Sequence, residues 1–303
     1  MGGESEVAYL SAAQRRAYDE EGYLLLEGHL SAETVARGRA EIARLSAHAG
    51  TIDASDDLID LEDRHTRAEP RIRRIKRPDL QSAFFDELMR SDAILGPVRE
   101  LIGPNLRLHT AKLNMKKAEY GAPVQWHQDF AFYPHTTADL LAVGIVFDDM
   151  TPENGPLQVI PGSHKGPILD HHLNGVFAGA CDPAEAGYSP EDGVALTGPA
   201  GSLSIHHARI LHGSALNTSR RDRQMLFYEI MAADAFPVMG SMTAFDSIEA
   251  FDARLLCGEA TRAPRLAPVP VRIPQPQPQK AGSIYEIQSQ GKGKAFRTYD
   301  EAT

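Results

Sequence analysis

Gln125-Trp126-His127-Gln128-Asp129 is the stretch of this sequence whose residue types and spacing could do chemistry. On a strand, residues two apart point to one side, so His127 and Asp129 would present an imidazole and a carboxylate together. That is two-thirds of a 2-His-1-carboxylate facial triad, which holds Fe(II) on one octahedral face and leaves the remaining positions for a cosubstrate and dioxygen. The missing ligand is then a histidine far along the chain. With 12 histidines in the sequence, distance alone does not choose it. His212 stands out by context, because it follows the apolar run Ser202 to Leu211 and opens the segment His-Gly-Ser-Ala-Leu-Asn-Thr-Ser. His206 would face the same way on an unbroken strand, but the triad needs only two histidines. A hydrogen-bonded place in the core or against the substrate is left for it.

An iron site that uses a 2-oxo acid also needs a cation for the acid's distant carboxylate. Arginine suits the task, since its planar fork binds a carboxylate through two hydrogen bonds. Arg220, Arg221 and Arg223 all follow His212; Arg223 opens the next apolar run, and Ser214 can add a hydroxyl.

Such a constellation needs a rigid scaffold. From Leu106 onward, short apolar runs are broken by Gly, Pro, Asn and Asp. Leu106 to Met115, Leu140 to Phe147, Leu157 to Ile160, Ser202 to Leu211 and Gln224 to Met231 read as strands. Turn signals at 151–156 and 160–163 separate them. The first hundred residues read as helical. Ser11 with Gln14 predicts a capping box and Gly22 a helix end; Tyr23 to Leu26 reads as a strand. Ser31 predicts a second helix carrying Val35, Ile42 and Leu45 on one face, and a third is expected from about Leu80 to Leu101. The expected fold is mainly β with flanking α-helices, a β-core at 106–235 buttressed by N-terminal helices at 10–102. Because the triad spans 127 to 212, one domain, residues 1–260, must bring its ends together. Prolines at 264, 268, 270, 274, 276 and 278 make 261–303 a proline-rich arm with a polar tail. That arm could lie over the body or reach a neighbouring subunit, so a homo-oligomer is a further expectation.

Composition excludes other classes. The 303 residues, 42% hydrophobic and 24% charged, are those of an ordinary globular chain. Lys plus Arg is 31 against Asp plus Glu 41, a net charge of −10, which argues against a nucleic-acid partner or an anionic membrane. The apolar run Leu140 to Phe147 is far short of the ~20 residues that span a bilayer, and the N-terminal residues lack the pattern of a secretory signal. Two cysteines, Cys181 and Cys257, without CxxC spacing suit a reducing compartment, with the cytoplasm as the expected location. One local exception is an acidic run at 53–63 followed by a basic run at 64–77. Mutual neutralisation is the plainer reading; a cationic rim attracting an anionic small-molecule substrate is the other.

The motifs Trp-His-Gln-Asp at 126–129, Glu-Asn-Gly-Pro-Leu-Gln-Val-Ile-Pro-Gly-Ser-His-Lys-Gly at 153–166 and the segment from His212 to Arg223 resemble, in order, the phytanoyl-CoA dioxygenase family of Fe(II)/2-oxoglutarate-dependent oxygenases. The segment 14–31 resembles the family's opening helix and strand, so the likeness covers roughly residues 10 to 240. The resemblance implies a double-stranded β-helix, a jelly-roll or cupin-like core. It implies Fe(II), 2-oxoglutarate and O2 as cofactor and cosubstrates, with hydroxylation of an unactivated C–H bond coupled to decarboxylation of 2-oxoglutarate to succinate and CO2. It matches His127, Asp129 and His212 to the iron ligands, Arg223 to the arginine of the distal carboxylate, and Ser214 to its helper. It also sets Lys112 and Asn114 where related enzymes place groups reaching 2-oxoglutarate or substrate. No catalytic residue beyond the metal ligands is implied.

Near the triad, Tyr133 is the preferred pocket aromatic, since its hydroxyl could reach a cosubstrate carboxylate; Gln128, Phe130 and His206 are candidates for touching substrate. Trp126 is out of phase and is expected to pack behind the site, and His164 to serve its turn. Desaturation, epimerisation and ring closure are other outcomes of the same site, while Asp129 speaks against halogenation. A metal-binding sensor of cupin-like shape is the rival outside enzymology.

Overall fold

The structure is a computed structural model that describes residues 8–239, 245–279, 284–289 and 296. Its first helix, α1 (Ala12–Glu21), begins with the expected capping box: Ser11 Oγ accepts from the Gln14 amide while Gln14 Oε1 accepts from the Ser11 amide. Gly22, at φ 82°, ends it. Then follow β1 (Tyr23–Leu26), α2 (Ala32–Ser46), β2 (Ile59–Leu61), β3 (Ile72–Lys76), α3 (Pro78–Gln81), α4 (Ala83–Met89) and α5 (Asp92–Ile102). The single helix expected from Leu80 to Leu101 is thus broken. Arg90 closes α4, and Ser91, in an extended conformation, starts α5.

The β-core comprises β4 (Leu106–Lys116), β5 (Val124–His127), a short α6 (Asp129–Phe132), β6 (Leu140–Val146), β7 (Leu157–Val159), β8 (His172–Leu173), β9 (Val176–Phe177), β10 (Val194–Ala195), β11 (Leu203–His207), β12 (His212–Ser214) and β13 (Arg223–Ala232). After it come α7 (Ile248–Asp252), β14 (Leu255–Cys257) and α8 (Ile284–Ser289). A larger antiparallel sheet runs β1-β11-β6-β13-β4-β3-β2, with β14 on β4; a smaller one runs β10-β7-β12-β5. This is the jelly-roll architecture with flanking helices.

Alternation sets the two faces of the larger sheet. Leu226, Tyr228 and Ile230 of β13 and Leu141, Val143 and Ile145 of β6 join the core under the helices, while Met225, Phe227, Ala142 and Val146 turn toward the smaller sheet. On β4 the register against β13 shifts, with Glu229 opposite Thr110 and Ile230 opposite Leu108. His109 is the extra residue of this bulge, and the slip keeps both Leu108 and Ala111 in the outer core. The run Ser202 to Leu211 is also two elements rather than one strand. β11 ends at His207, the chain turns through 208–211, and β12 begins at His212 in the other sheet.

The arm lies against the body where it is described. The Phe177 amide donates to Pro276 O, Val269 packs on the cluster around Phe130, and α8 meets β5. Apart from α8 and Phe296, residues 280–303 lie outside the described residues.

Candidate metal centre and its cavity

Strands β5 and β12 pair with His127 directly opposite His212, and their rings lie 4.0 Å apart. Asp129 is not on the strand, as the alternation argument had it; β5 stops at His127, and Asp129 is the first residue of α6. It still faces both rings. His127 Nε2 and His212 Nε2 stand 3.7 and 3.8 Å from Asp129 Oδ1, and the ligand atoms of the three residues all lie within 4.8 Å of one another. Those separations exceed hydrogen-bond length and suit ligands around one ion. His127 Nδ1 bonds to Gln125 O at 2.8 Å and His212 Nδ1 to Ile210 O at 3.0 Å. A carbonyl only accepts, so each Nδ1 carries the proton and each Nε2 offers its lone pair. Burial, reinforced by the neighbouring His127, holds His212 well below the ordinary histidine range. Burial works against ionisation of Asp129, yet His212, Lys112 and its other neighbours hold its carboxyl well below the usual carboxylate range. Two neutral imidazoles and an ionised carboxylate are the protonation states that Fe(II) requires, so the residues fit the ion.

The triad opens into a cavity between the two sheets. At one end is Arg223, the first residue of β13 and only 4% exposed. Its Nη2 donates to Gly155 O at 2.6 Å, its Nε has no partner, and burial brings it down to about 10. No carboxylate among the described residues pairs with it, which suits it to an incoming acid. Ser214 and Asn114 line the same cavity, with Asn114 Oδ1 buried and unpartnered. The rival arginines face solvent: the Arg220 side chain is 94% exposed and Arg221 is exposed.

At the other end Lys112 does not reach for a cosubstrate. Its Nζ lies 2.5 Å from Glu229 Oε1. His206 lines the cavity here, with Nε2 3.7 Å from Asp129 Oδ2 and both ring nitrogens unpartnered. Tyr133, expected to touch a cosubstrate carboxylate, belongs instead to this end. Its ring lies 4.3 Å from that of His109, its hydroxyl is buried without a partner, and burial followed by Asp129 and Glu229 holds it well above the ordinary tyrosine value. The bulge on β4 is what brings His109 here. Along β4, Lys112 and Lys116 are separated by roughly 13 Å at about 3.3 Å per residue, so the two ends are distinct.

Two other expectations fail on hydrogen bonding and packing. Gln128 is fully buried away from the cavity, with Nε2 donating to Pro167 O and Arg209 O and Oε1 accepting from the Leu169 amide. Phe130 is core, packed with Ala131, Leu140 and Met231. Trp126 packs behind the site against Phe296, and His164 lies in the short helical turn Ser163–Lys165 with its ring 5.2 Å from, and tilted to, that of His207. The basic run is neutralised by its acidic neighbour, with Arg67 on Asp53, Arg73 on Glu62, and both Arg74 and Lys76 on Asp60. It forms no free cationic rim.

The sequence reading missed Lys116, Glu229 and Tyr285. Period two along β4 places Lys116 on the face of Lys112 and Asn114, and Glu229 is the one acid inside an apolar strand, so both carried a signal. Tyr285 carried none: α8 brings it from the far end of the chain into the cavity wall, with the Arg73 guanidinium 5.1 Å over its ring.

A jelly roll with a His-Asp-His centre and a buried, acid-free arginine defines an Fe(II)/2-oxoglutarate-dependent dioxygenase, and comparison with known proteins agrees. The phytanoyl-CoA dioxygenase (PhyH) family matches residues 18–225, and the chain belongs to that family. It is 36% identical over 281 residues to a probable alpha-ketoglutarate-dependent hypophosphite dioxygenase of Stutzerimonas stutzeri, covering 91% of this chain and 96% of that protein. It is 38% identical over 166 residues to L-proline trans-4-hydroxylase of Streptomyces griseoviridis, covering 47% of this chain and 62% of that one. The crystal structure of EctD from S. alaskensis with 2-oxoglutarate and 5-hydroxyectoine superposes with a TM-score of 0.64 at 26% identity, over 89% of this chain and 90% of that chain. Among the described residues no helix is long and apolar enough to cross a membrane.

Proposed function

We propose that His127, Asp129 and His212 hold Fe(II), that Arg223 with Ser214 and Asn114 holds the distal carboxylate of 2-oxoglutarate, and that the Lys112 end receives a small oxyanion, hypophosphite being the first candidate. When bound, Fe(II) and 2-oxoglutarate supply an O2-dependent oxidation that delivers one oxygen atom to the substrate and releases succinate and CO2. The chain's own residues position the reactants and keep water out of a cavity walled by Val124, Leu157, Phe227 and Tyr285. The observation that carries the substrate reading is Lys112, a half-buried cation in the cavity wall near Asp129 whose charge desolvation opposes and Glu229 supports. His206 and the Tyr133 hydroxyl stand near it with hydrogen-bonding capacity unused. The 36% identity to a hypophosphite dioxygenase along nearly the whole chain supports the same choice.

Glu229 favours a second reading. An oxyanion must share Lys112 with Glu229, whereas a zwitterion such as a cyclic amino acid would set its carboxylate on Lys112 and its ammonium on Glu229. Succinate formation with hypophosphite, phosphite, L-proline and ectoine separates the two. The first reading expects hypophosphite to stimulate turnover most, and stimulation by amino acids alone would overturn it. The free thiols Cys181 and Cys257 support a cytoplasmic setting. Residues 1–260 are taken as one catalytic domain and 261–303 as an arm upon it.

A further inference from the structure

We infer that Gln288 of α8 is a positioning residue for His127, so that docking of the C-terminal arm both walls the cavity and aims that imidazole at the metal. This rests on the reading of His127 as an Fe(II) ligand. The contacts run through Gln125. β5, which ends at His127, is the outer strand of the smaller sheet, and an outer strand presents backbone groups that no neighbouring strand satisfies. At Gln125 the arm takes that place. The Gln125 amide donates to Gln288 Oε1 at 2.9 Å, and Gln125 O accepts from Gln288 Nε2 at 3.4 Å. Gln288 Nε2 also donates to Gly179 O at 2.7 Å, and Gln288 is 6% exposed.

The same Gln125 carbonyl accepts from His127 Nδ1 at 2.8 Å. A carbonyl oxygen has two lone pairs and can serve both donors. The bond to His127 fixes its tautomer and ring orientation, and with them the direction of Nε2. Gln288 grips the Gln125 backbone on both its N–H and its C=O, so it sets the carbonyl that sets the ring. His212 is held differently, since its Nδ1 partner, Ile210 O, belongs to the turn before β12.

A second part of the arm reaches the same place. Gln125 Nε2 donates to Phe296 O and Gln125 Oε1 accepts from the Phe296 amide, both at 2.9 Å. The Phe296 ring lies 5.4 Å from that of Trp126 and against Gly213, where a Cβ would stand 2.8 Å from the ring and 2.9 Å from Val124 O. Gly213 follows His212, so the ring sits across the strand pair that carries both histidines, in space that a side chain at 213 would take. The cavity wall belongs to the same unit. Ile284 and Tyr285 line the cavity, and Tyr285 and Gln288, three residues apart, share one face of α8. If docking of this face favours metal binding, metal binding favours docking by the same factor.

The test measures Fe(II) affinity under nitrogen, by competition with a chromophoric chelator, and amide hydrogen exchange of residues 284–289 with and without the metal. Gln288→Met keeps the side-chain length but loses the hydrogen bonds; it should bind Fe(II) roughly fivefold more weakly, the worth of one buried hydrogen bond. Tyr285→Leu, on the same helix, should bind Fe(II) as the wild type does. With Co(II) in saturating excess, the visible absorption bands of the metal should shift in Gln288→Met and stay in place in Tyr285→Leu. Fe(II) should slow exchange of 284–289 in the wild type and leave it unchanged in Gln288→Met. Unchanged affinity or unchanged Co(II) bands in Gln288→Met, an equal change in Tyr285→Leu, or wild-type exchange indifferent to Fe(II) would each overturn the role. If His127→Ala binds Fe(II) as tightly as wild type, the underlying reading of His127 is what fails.

Discussion

The two ends of the cavity are built by opposite rules. Around Arg223 and Lys116 the protein buries basic groups that pair with no acid among the described residues and have only backbone carbonyls as partners, with Arg223 Nε left over. Around Lys112 the charges are balanced by Glu229, while the hydrogen bonding is left incomplete at His206, Tyr133 and His109. An excess of buried positive charge selects a ligand by its charge, as a dicarboxylate cosubstrate requires. A balanced but unsatisfied cluster selects by hydrogen-bond geometry, which suits a small polar substrate. The triad stands between them, able to see both.

The largest effect comes from removing the centre the ends share. Asp129→Ala should cut succinate formation by more than about 100-fold, since disturbing the groups that merely support metal ligands already costs 10- to 100-fold. Metal analysis should show lost iron; full turnover with bound iron would dissolve the comparison. Next, Arg223→Leu should raise the KM for 2-oxoglutarate roughly 10- to 100-fold, the worth of a charge-assisted hydrogen-bonded pair, while iron content stays normal. Glu229→Gln should act by less, and its direction depends on the charge of the substrate. An oxyanion substrate gains a freed Lys112 and a lower KM, whereas a zwitterion loses its ammonium partner and a higher KM results. Deleting residues 280–303 strips Tyr285 from the cavity wall and should raise the KM for 2-oxoglutarate by less than Arg223→Leu does. The smallest effect is on stability. Burial pushes His171 down to about 3 and His135 down to about 4. The unfolded chain therefore takes up protons that the folded one refuses. Stability is fully present above the ordinary histidine value of about 6.5 and is lost as pH falls below it toward the folded values. Urea-denaturation midpoints measured against pH should decline accordingly, and a flat profile would count against buried neutral histidines.

How far the sequence revealed these two ends depended on what kind of contact defines each. The ligands His127, Asp129 and His212 were legible because metal chemistry restricts residue type, and Arg223 because a distal carboxylate calls for arginine; burial then separated it from Arg220 and Arg221. Four strands of the larger sheet, β1, β4, β6 and β13, were legible within a residue or so from apolar runs, whereas β11 was read four residues too long and β2 and β3, inside the charged stretch, were not read as strands. What could not be read depends on register and on long-range packing. The bulge at His109, the crossing of Lys116 with Arg223, and the turn at 208–211 that sends His212 to the other sheet from His206 all arise when strands pair. Gln128 and Phe130 sit beside the triad in sequence, yet their side chains leave it because β5 ends at His127 and α6 turns the chain.

The most direct test of the account is the split between two Michaelis constants in two variants, Arg223→Leu and Lys112→Met, with succinate and oxidised substrate measured together. Arg223→Leu should raise the KM for 2-oxoglutarate alone. Lys112→Met should raise the KM for substrate alone and leave succinate forming without matching product. Both constants rising together in each variant, or the two effects exchanged, would contradict it.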